Sequence, residues 1–271
     1  MREKLLRYGL LLFVLVITIG PFLLQLSTSL KGVGEDIYTA TPQLLPSEPT
    51  LDNYVQVMET LPVLKYAANS LVVAAIVIAG NAVGATLAGY ALARLRFRGG
   101  RLVLGAFVAT LVLPEEVTII SKLVTIQSLG LADTLLGVAL PGAIGMLNVL
   151  LMRTAFAAIP REMDEAAIVD GANAWQRFTR IGLPNVRGMA SVVTIFAFIG
   201  AWDDFLWPLI VLTDPENLTL TVGLNYLNGT FSANPRLIAA GTMIAFIPIV
   251  IVFATLQRFF FRGVEEGAIK G

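Results

Sequence analysis

The sequence predicts an all-α protein that crosses a membrane six times and forms a single domain over residues 1–271. Of the 271 residues, 56% are hydrophobic and only 14% are charged, which is too apolar for an ordinary soluble domain. Several apolar runs reach the roughly 18 residues that a transmembrane helix requires. These runs lack the alternating pattern of membrane strands, so helices, which satisfy their own backbone groups, are the predicted spanning form.

Each predicted crossing is long enough, at about 1.5 Å per residue, to span roughly 30 Å of hydrocarbon. The six crossings comprise residues 8–26, 69–92, 102–122, 135–152, 188–212 and 237–260. The first one is long, lacks a small-residue cleavage site and runs into polar sequence. We therefore expect a retained membrane anchor there rather than a signal peptide.

The predicted orientation follows from the Lys and Arg residues between the crossings. One side, which includes both termini and the segment between the fourth and fifth crossings, has 15 of the 19 basic residues. The positive-inside rule makes that side cytoplasmic. Residues 27–66 would then be external, with an irregular lead-in followed by a short surface helix near residues 51–59.

Small and amide side chains within the crossings predict contacts between helices. Asn69, Asn81 and Asn148 are expected to form hydrogen bonds from helix to helix. Gly80 and Gly84 form one G-x-x-x-G step, which indicates close packing of the second crossing against a neighbour.

The cytoplasmic segment 160–187 is predicted to form two helices joined by a glycine. Acidic residues after Pro160 favour a helix N-terminus through the macrodipole, and this helix should run to about Asp170. Gly171 can supply the left-handed residue that stops it. Asn173 can cap a second helix, which we expect Pro184 to end.

The same segment contains a specific sequence motif. Glu165, Ala166 and Ala167 are followed by Gly171 and, after nine residues, by the run that ends at Pro184, giving E-A-A-x3-G-x9-I-x-L-P. With residues 202–209 and the ending 267–271, this motif resembles permease subunits of ABC importers. The resemblance is to their carbohydrate branch, near the smaller maltose-permease subunit, and covers essentially the whole chain.

The resemblance implies the type I ABC importer transmembrane fold and a location in the plasma (inner) membrane of a prokaryote, with both termini cytoplasmic. It implies a coupling helix that docks on a separate ATPase subunit. The residues implied for this coupling are Glu165, Ala166, Ala167, Asp170, Gly171 and Pro184. Lys270, in the C-terminal tail, would be a further contact with that subunit. The implied partners are a second homologous permease subunit, a dimer of ATPase subunits and an extracytoplasmic solute-binding protein.

The residue types exclude several kinds of chemistry. The phosphate-binding loop G-x-x-x-x-G-K-[ST] is missing, so ATP and Mg²⁺ would be bound by the partners and this chain would not be an enzyme. With no histidine and no cysteine, a Ser–His–Asp triad and the usual zinc sites are excluded. No basic tract indicates nucleic acid, and we expect no cofactor or metal in this chain.

Two acidic pairs lie within predicted crossings, roughly 20 Å from the cytoplasmic face. They are Glu115 with Glu116, and Asp203 with Asp204, which Trp202 and Trp207 flank. Carboxylates in hydrocarbon are costly, so they should face protein or water. Acids beside aromatic rings suit neutral, polyhydroxylated ligands, so these six residues are candidates for the substrate pathway. The alternative is that the tryptophans are interfacial anchors and that the acids cap or join helices.

Three other functions remain open on the sequence. The same type of importer could transport glycerol-phosphate esters or another non-sugar solute. A secondary transporter could use the four acids as proton sites, although this leaves the motif unexplained. A membrane scaffold without a transport path is the third alternative.

Overall fold

The computed structural model describes residues 2–37, 43–229 and 234–268. Within these residues the regular structure is helical, which confirms the all-α class. By length and composition, three helices are able to cross a membrane unbroken, and three further pairs would each cross as one bent span. The first, second and sixth predicted crossings correspond to the three unbroken helices, and the third and fourth correspond to bent pairs. The remaining bent pair joins Ala174–Asn185 to Arg187–Asp203, so it shares only Arg187–Asp203 with the predicted fifth crossing.

The chain divides into two compact units, Met1–Tyr66 with Leu220–Pro248 and Ala67–Thr219 with Ile249–Gly271. The single-domain organisation stays a prediction.

Numbered along the chain, the principal helices are α1 (Arg2–Ser29), α2 (Asp52–Thr60), α3 (Val63–Arg94), α4 (Gly100–Val112), α5 (Glu115–Ser128), α6 (Leu135–Gly142), α7 (Met146–Ala158), α8 (Arg161–Val169), α9 (Ala174–Asn185), α10 (Arg187–Asp203), α11 (Leu206–Val211), α12 (Leu220–Asn225) and α13 (Pro235–Ala268).

In the first unit, the end of α1 holds the short helix α2. The Asn53 side-chain amide is buried and donates hydrogen bonds of 2.9 Å to the carbonyl oxygens of Ser29 and Lys31. The Ser29 and Tyr54 hydroxyls lie 2.7 Å apart. The helix predicted near residues 51–59 is present as Asp52–Thr60, and its external location stays a prediction.

In the second unit, α3 packs closely along α7 because glycines remove side-chain bulk. A Cβ atom added at Gly80 would lie 2.4 Å from the Ala143 carbonyl oxygen, and one added at Gly89 would lie 2.6 Å from the Met152 Cβ. At Gly84 it would meet the Ile144 side chain at 2.6 Å. The close packing predicted from the G-x-x-x-G step is confirmed.

Asn81 lies in a π-helical turn, Asn81–Ala85, and binds the junction between α6 and α7. Its amide nitrogen donates to the Gly142 carbonyl oxygen at 3.0 Å, and its oxygen accepts from the Gly145 amide at 2.8 Å. The Asn148 amide donates to the same oxygen at 2.9 Å. These bonds satisfy backbone groups that the 42° bend between α6 and α7 exposes, as an apolar environment requires.

The third crossing is not one continuous helix over residues 102–122, as predicted. Helix α4 ends at Val112, Leu113 is extended, and α5 begins after Pro114 with an axis bent by 104°. A proline has no amide donor and disfavours helical backbone at the preceding residue, which explains the break.

The fifth crossing, predicted over residues 188–212, is also interrupted. Helix α10 ends at Asp203, Asp204 is extended, and α11 starts at Leu206. In a continuous helix Pro208 would leave the Asp204 carbonyl oxygen without its amide donor and would clash with it. Within the first turn of a new helix the same proline is tolerated.

Candidate functional site

The first arm of the motif is α8, which ends as the sequence predicts. The Asp170 backbone lies at the C-terminal cap and Gly171 is left-handed, with φ of +79°. The Gly171 amide donates to the Ile168 carbonyl oxygen at 3.0 Å, and the Ala172 amide donates to that of Ala167 at 2.8 Å. This pair of bonds is a Schellman motif, which satisfies the last carbonyl groups of the helix.

The second arm, α9, starts with a capping box. The Asn173 side chain accepts from the Gln176 amide and the Gln176 side chain accepts from the Asn173 amide, both at 2.9 Å. The helix does not end at Pro184, as the sequence predicted, but one residue later. Pro184 lies inside the helical run, which continues to Asn185 before a 78° bend leads into α10.

The outer surface of this elbow exposes apolar side chains. Val169 is 87% exposed, Ile168 54% and Trp175 64%. The motif residues Glu165, Ala166, Asp170, Gly171 and Pro184 are exposed as well, and Ala167 is half-buried. A segment outside the membrane helices that leaves such side chains exposed has the character of a protein-binding surface.

A groove with a volume of about 350 Å³ opens between the two arms. Its lining includes Ala167, Asp170 and Gly171 from the first arm and Gln176, Arg180 and Ile181 from the second. Small residues on one wall and longer polar ones on the other make it able to accept a side chain from another protein.

The inner surface of the elbow is fixed to the membrane helices by an aromatic cluster. The Phe178 ring of α9 lies 5.0 Å from the Tyr90 ring of α3 and 6.2 Å from the Phe156 ring of α7. All three rings are buried and lie in one hydrophobic core with Met152 and Val193. The second arm α9 therefore shares one buried core with α3, α7 and α10.

Arg94, at the end of α3, makes contacts that the sequence did not predict, since only its positive charge was noted there. Its Nε donates to the Phe156 carbonyl oxygen at 2.9 Å, and its Nη2 donates to that of Ile159. Its Nη1 lies 3.4 Å from Asp164 Oδ2 of α8, and the two side chains are only 7% and 16% exposed. In the sequence, Arg94 is one of four arginines that follow the second crossing, with Arg96, Arg98 and Arg101, and nothing in the pattern distinguishes it from the other three.

The acidic residues at the two helix breaks have different surroundings. Glu115 Oε2 lies 3.5 Å from Lys122 Nζ, and that ammonium group lies 5.9 Å from the centre of the Trp207 ring. Glu116 and Asp203 are exposed, and Asp204 is half-buried, with its carboxylate accepting from the Trp207 amide at 3.4 Å. Lys122 is thus a cationic member of this region that was not among the predicted pathway residues.

Both tryptophans of the predicted pathway are buried in this chain. Trp202 is 2% exposed, with its ring 5.6 Å from that of Phe198. Trp207 is 7% exposed, and its indole nitrogen donates to the Val138 carbonyl oxygen at 3.2 Å. The pathway role of the six residues stays a prediction, and Lys270 lies outside the described residues.

Asp133, in the connection between α5 and α6, binds a second connection, which follows α11. Its carboxylate accepts from the Thr213 and Asp214 amides at 2.9 and 3.0 Å, and its carbonyl oxygen accepts from the Asn217 side chain. The amides of Asp214 and Thr213 lower the pKa of the Asp133 carboxyl group below its ordinary value. Asp133 is also left-handed, with φ of +56°. Among the described residues, no cluster of three or more acids is placed to bind a metal.

Residues 50–266 match the family described as "Binding-protein-dependent transport system inner membrane component". The chain belongs to this family. The match covers α2 to α13 and includes the whole elbow. It confirms the resemblance noted in the sequence: the protein is a permease subunit of an ABC importer rather than an enzyme. The family implies a location in the membrane and work with ATPase and substrate-binding partners.

Relatives of this permease match along its full length. The galactooligosaccharides transport system permease protein GanQ of Bacillus subtilis is 32% identical over 97% of this chain and 94% of the relative. The maltodextrin transport system permease protein MdxG of the same organism is 33% identical over 100% and 98%.

A solved structure described as "Crystal structure of a bacterial ABC transporter involved in the import of the acidic polysaccharide alginate" shares the permease fold. It superposes with a TM-score of 0.82 at 23% identity, covering 95% of this chain and 96% of that one. The predicted ABC importer fold is confirmed.

Proposed function

We propose that this permease transports a sugar or an oligosaccharide. The observation that supports this substrate class is the identity above 30% to GanQ and MdxG over nearly the full length of each chain. Both relatives are named for an oligosaccharide or dextrin substrate. Exposed and half-buried carboxylates beside Trp207 are consistent with neutral hydroxylated solutes, because carboxylates accept hydrogen bonds from hydroxyl groups and repel anions.

We also propose the composition and orientation of the complex. A second homologous permease would complete the translocation path, a dimer of ATPase subunits would bind ATP and Mg²⁺, and an external binding protein would deliver the solute. Both termini and the elbow would be cytoplasmic in the plasma membrane of a prokaryote, since that side has 15 of the 19 basic residues.

The elbow α8–Gly171–α9 is proposed as the surface that docks on the ATPase subunit. Its outer face exposes Val169 and Ile168, and its inner face is buried against α3 and α7. Such an element has one face for a partner and another that transmits displacement to the membrane helices. Closure of the ATPase dimer would move α8 and turn the path outward, and hydrolysis would return it inward.

The acids at the breaks would line the external half of the path. The helix breaks that follow Val112 and Asp203 leave Glu115, Glu116 and Asp203 exposed at the ends of helices rather than within continuous ones. Trp202 and Trp207 would form the wall behind them. Lys122 offsets part of the negative charge, which lowers the cost of keeping carboxylates at this depth.

Docking is tested by Val169→Glu in the complete importer reconstituted in nanodiscs. Val169 is so exposed that the substitution leaves the fold intact, while a carboxylate in a hydrophobic interface is strongly unfavourable. We expect a large loss of solute-stimulated ATPase activity. Val33→Glu is the matched control, because Val33 is 86% exposed in the segment predicted to be external. Equal activity of the two variants would overturn the docking surface.

The substrate class is tested by uptake into cells that express the complete importer. Maltotriose, a galactooligosaccharide mixture and glycerol 3-phosphate are offered as probes, with and without this permease gene. Permease-dependent uptake of either saccharide is expected. Uptake of glycerol 3-phosphate alone would replace the proposal with a transporter of phosphate esters.

A further inference from the structure

We propose that Arg94 is a positioning residue that makes α8 move together with the membrane helices, so that displacement of the elbow reaches α3 and α7. This inference rests on the proposed docking role of the elbow. Arg94 does not touch the outer surface: its side chain is 7% exposed and lies beneath α8. Its role is therefore transmission, not docking.

The guanidinium group joins three separate segments. It belongs to the last turn of α3, donates to the carbonyl oxygens of Phe156 and Ile159 at the end of α7, and pairs with Asp164 in α8. The Ile159 carbonyl oxygen lies just after the last helical residue, where helices leave carbonyl groups without internal partners. A cation is also favoured at this end of a helix by the macrodipole.

Arginine suits this junction because of its geometry. The planar guanidinium presents five N–H donors in fixed directions, so it can bind two carbonyl oxygens and one carboxylate at the same time. A lysine ammonium has the same charge without this fixed arrangement. We therefore expect Arg94→Lys to retain the charge but to hold the three segments less firmly.

Several other charged and titratable groups lie on the elements that meet at Arg94. Tyr90 of α3 interacts electrostatically with Asp164, Arg177 and Arg94. The charged residue of α7, which packs against α3, is Arg153. Asp164 is the anion in this set, so Arg94 and Asp164 cannot separate without leaving charge uncompensated in a poorly solvated region.

The aromatic cluster and the ion pair therefore differ in how they transmit motion. Contacts between rings such as Phe156 and Phe178 are not directional, because dispersion attraction does not fix the angle between two groups. The bonds of Arg94 are directional and buried, so they are broken only at a substantial cost. A displacement of α8 should thus pull on α3 and α7 through Arg94 before the rings transmit it.

The test replaces Arg94 with a charge that can be switched. Arg94→His is informative because the chain contains no other histidine, and an imidazole ordinarily titrates near pH about 6.5. The complete importer is assembled in nanodiscs, and the ATPase activity with loaded binding protein is divided by that without it. The loading probe is whichever of maltotriose and the galactooligosaccharide mixture stimulates the wild type. The exposed Arg98, in the loop after α3, gives the matched control Arg98→His.

We expect the stimulation ratio of Arg94→His to stay below that of wild type, because an imidazolium lacks the fork of N–H donors, but to be about 5-fold or more higher at pH 6 than at pH 8, because the protonated ring restores the positive charge beside Asp164. Adding Asp164→Asn should abolish this dependence on pH, and Arg98→His should follow the wild type. A contribution of Arg94 to folding alone would change the amount of assembled complex and leave the ratio unchanged. That result, or a pH dependence that survives Asp164→Asn, would overturn the proposal.

Two further variants keep the outcome decisive. If Arg94→His does not assemble, Asp164→Asn alone preserves the side-chain shape and should lower the ratio about 5-fold, and an unchanged ratio would overturn the inference. Val169→Glu is measured in parallel. If it uncouples while the Arg94 and Asp164 variants do not, the docking role of the elbow stands and the transmission role of Arg94 falls. If Val169→Glu instead retains the solute-stimulated ATPase activity of the wild type, the docking role itself is wrong.

Discussion

The elbow α8–Gly171–α9 and the acidic region at the helix breaks use their motif residues in opposite ways. On the elbow, Glu165, Ala166 and Asp170 are exposed, and residues outside the motif, such as Phe156, support it from beneath. In the run 202–209, the most distinctive residues, Trp202 and Trp207, are themselves buried. A recognisable motif can therefore mark either a surface for a partner or the core that supports a surface.

The largest effect that would sharpen this comparison is expected at Gly171. Proline requires φ near −65°, whereas Gly171 has φ of +79° and donates its amide to Ile168. Gly171→Pro should break the elbow, at a local cost of about 3 kcal/mol or more, and abolish solute-stimulated ATPase activity. Gly171→Asn is the matched control, because asparagine adopts the left-handed conformation more readily than other residues. If the proline variant assembles and remains fully stimulated, the elbow is only a connector.

The second effect concerns the buried side of the comparison. Trp202→Ala should destabilise the permease by about 3–5 kcal/mol, because a large aromatic side chain leaves a cavity. Thermal unfolding of the assembled importer measures this loss, and the concentration of solute needed for half-maximal stimulation should not change. A shift in that concentration with normal stability would instead identify Trp202 as a residue that contacts the solute.

A smaller effect is expected from the exposed acids. Converting Glu115 and Glu116 to glutamine and Asp203 and Asp204 to asparagine keeps their shapes but removes their charges. Each charged hydrogen bond to a solute hydroxyl that is weakened costs about 1 kcal/mol, so the half-saturating solute concentration should rise about fivefold for each such bond. The readout is transport by proteoliposomes at several solute concentrations. Unchanged transport would remove these residues from the pathway.

The smallest effect tests a region outside both sites. Because the amides of Asp214 and Thr213 lower the pKa of Asp133 in the folded protein, its ionised form stabilises the fold at pH values above its ordinary pKa of 3.8. This stabilisation is lost as the pH falls below that value towards the folded-state pKa. Asp133→Asn should remove that part of the acid dependence of unfolding, and Glu59→Gln, on the exposed side of α2, is the control. Identical acid profiles for wild type and Asp133→Asn would contradict the role of this carboxylate.

Local signals made the elbow predictable. The left-handed residue at Gly171 and the cap at Asn173 depend on neighbours within a few positions, and both are confirmed. The close approach at Gly80 and Gly84 was likewise visible, because only glycine leaves room for a neighbouring backbone. The resemblance to the permease family was likewise visible in short segments, namely the motif at residues 165–184, residues 202–209 and the ending 267–271.

The chain sequence by itself determined the number of apolar segments, the permease family and the two-helix form of the elbow, since these depend on composition and short-range chemistry. The tertiary structure decided that Pro114 separates two helices bent by 104°, that Trp202 is buried, and that Arg94 joins Phe156, Ile159 and Asp164. The partners of Arg94 lie more than 60 residues further along the chain. Contacts between such distant positions depend on how the helices pack, and no local pattern encodes that packing.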